Sequence, residues 1–188
     1  GTNIRMKYIF FRGTPDITNH IQGTSTIVGQ ANAIGAITTG AVLYLNTPAF
    51  DVDSMTKARF SSIGGTQMSD GTIRNKPDLC APNGGNTTVE LGGPNIDSAS
   101  GDIFPNFFGT SAAAPHAAAV AALLLGASKT FYGTTISPDS IKNLLISSAK
   151  NMYEPGFDFK SGYGFIDAYD ALLTTLTPKP KIDSLEVP

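Results

Sequence analysis

The chain has one cysteine, two histidines and no unbroken run of 18 apolar residues, and each shortage removes a class of function. A single thiol, Cys80, excludes an internal disulfide and a cysteine-rich metal site. It stands before Ala81-Pro82, where a small buried hydrophobe is the expected role. The longest apolar run, Ala117 to Leu125, falls short of a membrane span and reads as a buried helix. A net charge of -2 and a pI near 5.6 give no basic field, so a nucleic-acid partner is disfavoured. There is no internal repeat or low-complexity tract. With 41% hydrophobic residues the chain is not disordered, and 188 residues suffice for one domain or the larger part of one.

The chemistry concentrates between Asn106 and His116, in Asn-Phe-Phe-Gly-Thr-Ser-Ala-Ala-Ala-Pro-His. A glycine turn there delivers the Ser111 hydroxyl to the first position of a helix whose continuation holds only alanine, valine and leucine. A helix over Ser111 to Leu125 is expected to be apolar all round and therefore buried. Its chemically interesting part is then the N-terminal end. First-turn N–H groups lack internal partners and carry the positive end of the helix dipole, so they can stabilise an oxyanion beside Ser111. The reaction suggested is acyl transfer, with Ser111 as nucleophile and backbone oxyanion donor, and Gly109 and Thr110 shaping the turn. A Gly-Thr-Ser tripeptide by itself is a weak signal, since most such tripeptides are ordinary turns or helix caps.

Its surroundings are more specific. Gly109-Thr-Ser-Ala-Ala-Ala-Pro-His-Ala-Ala-Ala119 resembles the serine motif of the subtilisin-like serine proteases, Gly-Thr-Ser-Met-Ala-Ser/Thr-Pro-His-Val-Ala-Gly. Ala112, Ala114 and Ala119 replace the methionine, the serine or threonine, and the glycine of that pattern. Sedolisins carry a similar Gly-Thr-Ser, but Pro115-His116 favours the subtilisin side. Four further segments resemble the same family. They are Ala33-Ile-Gly-Ala-Ile-Thr-Thr-Gly-Ala-Val42, Arg59-Phe-Ser-Ser-Ile-Gly64, Lys76-Pro-Asp-Leu-Cys-Ala-Pro82 and Ser161-Gly-Tyr-Gly-Phe-Ile-Asp-Ala168. The resemblance spans Gly23 to Leu173.

It implies an α/β, subtilisin-like three-layer fold with a mostly parallel sheet, present as a partial, C-terminal domain. Ser111 then sits at a helix start beside the carboxyl ends of strands, where open α/β sheets place ligands. The implied activity of a full-length parent is that of a serine endopeptidase acting on peptide or protein substrates, secreted or at the cell surface.

What the motif needs beside it is not found. A serine hydroxyl requires a base within hydrogen-bond reach and a third group to orient that base. His116 lies five residues after Ser111, roughly 140° around a helix axis, and reads as structural. His20, in the loop Thr14-Pro-Asp-Ile-Thr-Asn-His20 with Asp16 close by, matches no family motif. The family's His-Gly-Thr and Ala-Gly-Asn segments are absent. The expectation is therefore a C-terminal half that is inactive alone, whose partner is the N-terminal half of the catalytic domain; Gly1 at the start is consistent with truncation. Two alternatives stay open: a non-catalytic subtilisin-like module binding peptides or glycans, and a serine hydrolase using His20.

The domain organisation expected is 1–22 as an N-terminal strand and loop, 23–176 as the C-terminal half of a peptidase domain, and 177–188 as a linker. Ile4 to Phe11, Ile34 to Leu45 and Thr87 to Leu91 read as strands. Ser137-Pro138 starts one helix with Ile141, Leu144, Leu145 and Ala149 on its apolar face, and Asp167 caps another. Gly162 and Gly164 allow a tight approach. Asp51 and Asp53 lie in a polar loop that lacks the glycine and terminal glutamate of a calcium site, so no cofactor is indicated and structural calcium is only left open.

Overall fold

The computed structural model describes residues 25–91, 93–97 and 101–176. The expected strand at Ile4 to Phe11, the loop with Asp16 and His20, and the linker after residue 176 lie outside the described residues. Two strands, β1 (Thr39–Leu43) and β2 (Leu79–Asn83), pair in parallel with Gly40 opposite Cys80 and Ala41 opposite Ala81. Three helices follow: α1 (Thr110–Tyr132), α2 (Pro138–Ser147) and α3 (Ala168–Leu176).

Both strands are buried in consecutive rather than alternate positions, which is the pattern of a parallel sheet covered on both faces. Successive side chains point to opposite faces, and the core divides accordingly. Ala41, Leu79 and Ala81 face the helices and join Ala113, Ala117 and Leu124 of α1, Leu145 of α2 and Ala171 of α3. Val42 and Cys80 face the other way, onto Met55 and Phe165. The segment 164–166 extends the sheet beyond β2: Cys80 donates to the Gly164 carbonyl at 2.8 Å, and Ile166 donates to the Cys80 carbonyl at 2.9 Å.

Close backbone approach explains Gly164 in that segment and Gly162 just before it. A Cβ on Gly162 would lie 2.4 Å from the Asp78 carbonyl carbon, and one on Gly164 would lie 2.1 Å from the Lys150 carbonyl oxygen. No side chain fits at either position.

A buried ion cluster ties the helical layer to the start of β2. Asp78 Oδ2 accepts from Lys76 Nζ at 2.6 Å and from the Thr38 N–H at 2.6 Å, while Lys142 Nζ of α2 lies 2.7 Å from Oδ1. Lys76 Nζ also donates to the Ala36 carbonyl. Burial pushes the Lys76 ammonium down from its ordinary range, with Asp78 opposing that shift.

Helix starts follow the sequence reading. Ser137 Oγ accepts from the Ser140 N–H at 3.1 Å before Pro138, and Asp167 Oδ1 accepts from the Asp170 N–H at 2.9 Å. Three expectations need correction. The strand expected over Ile34 to Leu45 is only Thr39–Leu43: Ala36 donates to the Ala33 carbonyl, closing a turn at Gly35, and Ile34 is 74% exposed. No strand forms over Thr87 to Leu91, because the Thr87 hydroxyl accepts from the Val89 N–H and bends the chain locally.

The third correction concerns α1. It runs on to Tyr132, where Gly133 in the left-handed region donates back to the Lys129 carbonyl, and it is buried on one side only. At 23 residues it is long and apolar enough to cross a membrane by length and composition, although Gly126, Ser128 and Lys129 interrupt the apolar run that ends at Leu125. Its inner side packs on β1, β2 and α3.

Candidate active site

The polar loops beyond β2 fold back to place one turn. Gly84 donates to the Phe107 carbonyl and Phe107 to the Gly85 carbonyl, both at 2.9 Å, so residues 84–87 and 105–107 run side by side. Asn106, 1% exposed, holds them together: its Nδ2 donates to the Gly84 carbonyl and to Asn86 Oδ1, each at 2.8 Å. Gly84 has φ 81°, and a Cβ there would meet Leu43 and Phe108 near 3 Å. The clamp therefore requires glycine at that point.

From this clamp the chain turns into α1 through Gly109, at φ 125° and ψ 167°. That region of backbone space is essentially open to glycine alone. Gly109 donates its N–H to Asn83 Oδ1 at 3.4 Å, and its carbonyl accepts from Ala112 at 3.0 Å and Ala113 at 3.3 Å. The Thr110 and Ser111 N–H groups come before these in the first turn, so the helix itself offers them no acceptor. Ser111 is exposed, as is Thr110. A serine hydroxyl, a backbone donor and a helix N-terminus thus meet beside the carboxyl end of β2, an arrangement suited to stabilising an oxyanion.

Among the described residues no histidine stands beside this hydroxyl as a base. His116 turns back on its own helix, with Nδ1 2.8 Å from the Ala112 carbonyl oxygen. His20 lies outside the described residues. Cys80, the single thiol of the chain, is fully buried, and desolvation pushes it up to about 12. It stays a thiol at neutral pH. Asp51 and Asp53 are exposed, and no group of three or more metal-ligating side chains occurs among the described residues.

Two residues that the sequence reading passed over belong to this site. Asn83 is 1% exposed, and its Nδ2 has no hydrogen-bond partner among the described residues. Asn106 is the pin of the clamp. The available signal was an asparagine beside glycine at the end of a buried strand and another just before the Gly-Thr-Ser turn.

The Subtilase family profile matches residues 8–164. The chain belongs to the Subtilase family. Among solved structures, this subtilase chain is similar to the CspB protease of Clostridium perfringens, with 26% identity and a TM-score of 0.59 over 80% of the chain. Fervidolysin from Fervidobacterium pennivorans, a keratinolytic enzyme related to subtilisin, is also 26% identical, with a TM-score of 0.52 over 81%. The prenylagaramide maturation protease PagA, 23% identical with a TM-score of 0.53 over 79%, shares the fold. The chain spans 29%, 20% and 45% of those three chains respectively. The parallel sheet with Ser111 at a helix start is thus part of a larger subtilisin-like α/β fold.

Proposed function

We propose that Ser111 is the nucleophile of a serine endopeptidase whose catalytic domain extends beyond these 188 residues. The observation that carries this reading is the exposed Ser111 hydroxyl on the first turn of α1, beside first-turn N–H groups and the end of a parallel strand. Family membership and the protease relatives support it.

In this reading Ser111 Oγ attacks the scissile carbonyl while a base takes its proton. The carbonyl oxygen becomes an oxyanion held by the Ser111 N–H, the base gives the proton to the departing amine, and the acyl-enzyme that remains is hydrolysed by water. The base, its orienting carboxylate and the second oxyanion donor come from polypeptide beyond these 188 residues. Loss of a general base alone removes about 10²- to 10⁴-fold of rate, so the 188-residue chain is inactive by itself. Action outside the cell or at its surface belongs to the same proposal.

The test is fluorophosphonate labelling of the polypeptide encoded by the whole reading frame. Labelling that maps to Ser111 and disappears in Ser111→Ala supports the proposal. A natively folded protein whose Ser111 stays unmodified makes this serine a helix-start residue of a binding module.

A further inference from the structure

The clamp that places Ser111 also carries an arm. Asn86 and Asn106 face each other across an antiparallel bridge, and Thr87 donates to the Pro105 carbonyl at 2.9 Å. Beyond that bridge Val89, Leu91, Ile96, Ile103 and Phe104 are all exposed, Val89 to 56% and Ile103 to 87%. Single apolar side chains at a surface need no explanation, but five concentrated on one short arm mark an interaction surface.

The arm is pinned, so these side chains stand in fixed places. Ile96 donates its N–H to Asn106 Oδ1 at 2.7 Å, Asn95 Nδ2 donates to the Asp102 carbonyl at 2.7 Å, and Asp102 Oδ1 accepts from the Phe104 N–H at 2.9 Å. A surface already held in its binding shape loses little freedom when a ligand settles on it. Charge narrows the ligand. Glu90, Asp97 and Asp102 lie on the same arm, and the sequence holds no lysine or arginine from Pro77 to Ser128, so a cationic ligand is favoured. Position relates the arm to the nucleophile. Phe104 precedes Ser111 by seven residues, so the two are no more than about 25 Å apart. A peptide extended through the site rises about 3.3 Å per residue, and roughly seven residues cover that span.

We infer that this arm is a specificity surface of the proposed peptidase, binding substrate segments rich in apolar and basic residues a few positions from the scissile bond. This rests on Ser111 acting as proposed above. Val89, Leu91, Ile96, Ile103 and Phe104 give the apolar residues of such a segment a surface to bury against, and the carboxylates of Glu90, Asp97 and Asp102 attract its lysines or arginines. The occupant follows from that pairing of apolar surface with negative charge and from the continuity of residues 105–107 with the turn that carries Ser111.

The probes that test this are internally quenched peptides sharing one core cleaved by the whole-reading-frame protein, with Leu-Lys-Leu-Lys, Ser-Lys-Ser-Lys or Leu-Glu-Leu-Glu placed before or after that core. On one side of the core the Leu-Lys flank should raise kcat/KM about 10-fold over each of the other two. Val89→Ser combined with Ile103→Ser should abolish the preference for leucine, while fluorophosphonate labelling of Ser111, by a reagent too small to reach the arm, keeps its rate. Equal kcat/KM for the three flanks overturns the inference, and so does a leucine preference that survives the double variant. A double variant that melts well below the parent also overturns it, because the two side chains are then covered by their own domain. Failure of the peptidase reading looks different. An unlabelled Ser111, with the Leu-Lys peptide still bound in fluorescence anisotropy and released by the double variant, keeps the arm as a peptide-binding surface and removes the catalysis.

Discussion

Gly109 donates its backbone N–H to Oδ1 of Asn83 across 3.4 Å, joining the last residue of β2 to the turn that carries Ser111. Asn83 is buried, so removing its side chain strands the Gly109 N–H and opens space under the turn. Asn83→Ala should cost about 1–2 kcal/mol, the lower part of the range for an unsatisfied buried group because the bond is long. Urea unfolding measures that cost. In the whole protein, fluorophosphonate labelling of Ser111 should fall further than the loss of folded protein explains.

The Gly109 conformation yields a separate expectation. A Cβ there meets nothing closer than the Ser111 N at 3.5 Å, so space is adequate and the penalty of Gly109→Ala is backbone strain alone. At φ 125° and ψ 167° that strain is about 1–3 kcal/mol. The melting temperature should drop, and restoring glycine is the only substitution that should recover it fully.

Asp78 holds two lysines in a region where water is scarce. Asp78→Ala leaves the Lys76 ammonium, 2% exposed, without its carboxylate and also removes the acceptor of the Thr38 N–H. Breaking a buried pair from one side costs about 3–5 kcal/mol, and this variant should be the least stable of the set in denaturant titrations. Double replacement of Lys76 and Asp78 by apolar residues should recover part of the loss.

The Lys150–Asp167 pair at 2.8 Å sets a pH dependence. Burial by itself would raise the Asp167 carboxyl, but Lys150 and the Asp170 N–H hold it below the ordinary aspartate value. Lys150, more exposed, is raised by the same partner. Asp167 therefore adds stability above a pH of about 4, lost as pH falls through its lowered folded value. Lys150 adds stability at pH values below its unfolded pKa, lost as pH rises through its raised folded value. Lys150→Met should lower the urea midpoint at pH 7, and the difference from the parent should shrink on acidification below about pH 4.

Cys80 reports opening of the sheet. With its thiol pushed up to about 12 and no exposed surface, it should resist iodoacetamide at pH 8 and react only as the chain unfolds. Its labelling curve in urea should coincide with the unfolding transition.

Much of this was legible in the residues because the signals are local. Ser137-Pro138 and Asp167 announce helix starts through short-range capping chemistry, and Gly162 and Gly164 mark places where backbone passes backbone. The place of Ser111 in the first turn of a helix was readable from a glycine turn ahead of an apolar run. The exposed side of α1 was not, since an all-apolar helix says it needs cover on every side but not which side this chain itself covers. Asn83 and Asn106 were missed because their roles depend on bringing residues 83–87 against 105–109, a pairing that no periodicity encodes. The Thr87 to Leu91 segment misled because its β-branched content competes with a threonine hydroxyl that bonds two residues ahead.

In the proposed peptidase the Ser111 oxygen forms an ester with the acyl part of a peptide substrate. Acid-quenching the whole-reading-frame protein during turnover of an activated peptide ester, followed by mass spectrometry of the fragment containing Ser111, reads that bond directly. An added mass equal to the acyl group on Ser111, absent in Ser111→Ala together with turnover, is the expected result. Turnover that survives Ser111→Ala, or an acyl group carried on any other residue, would contradict it.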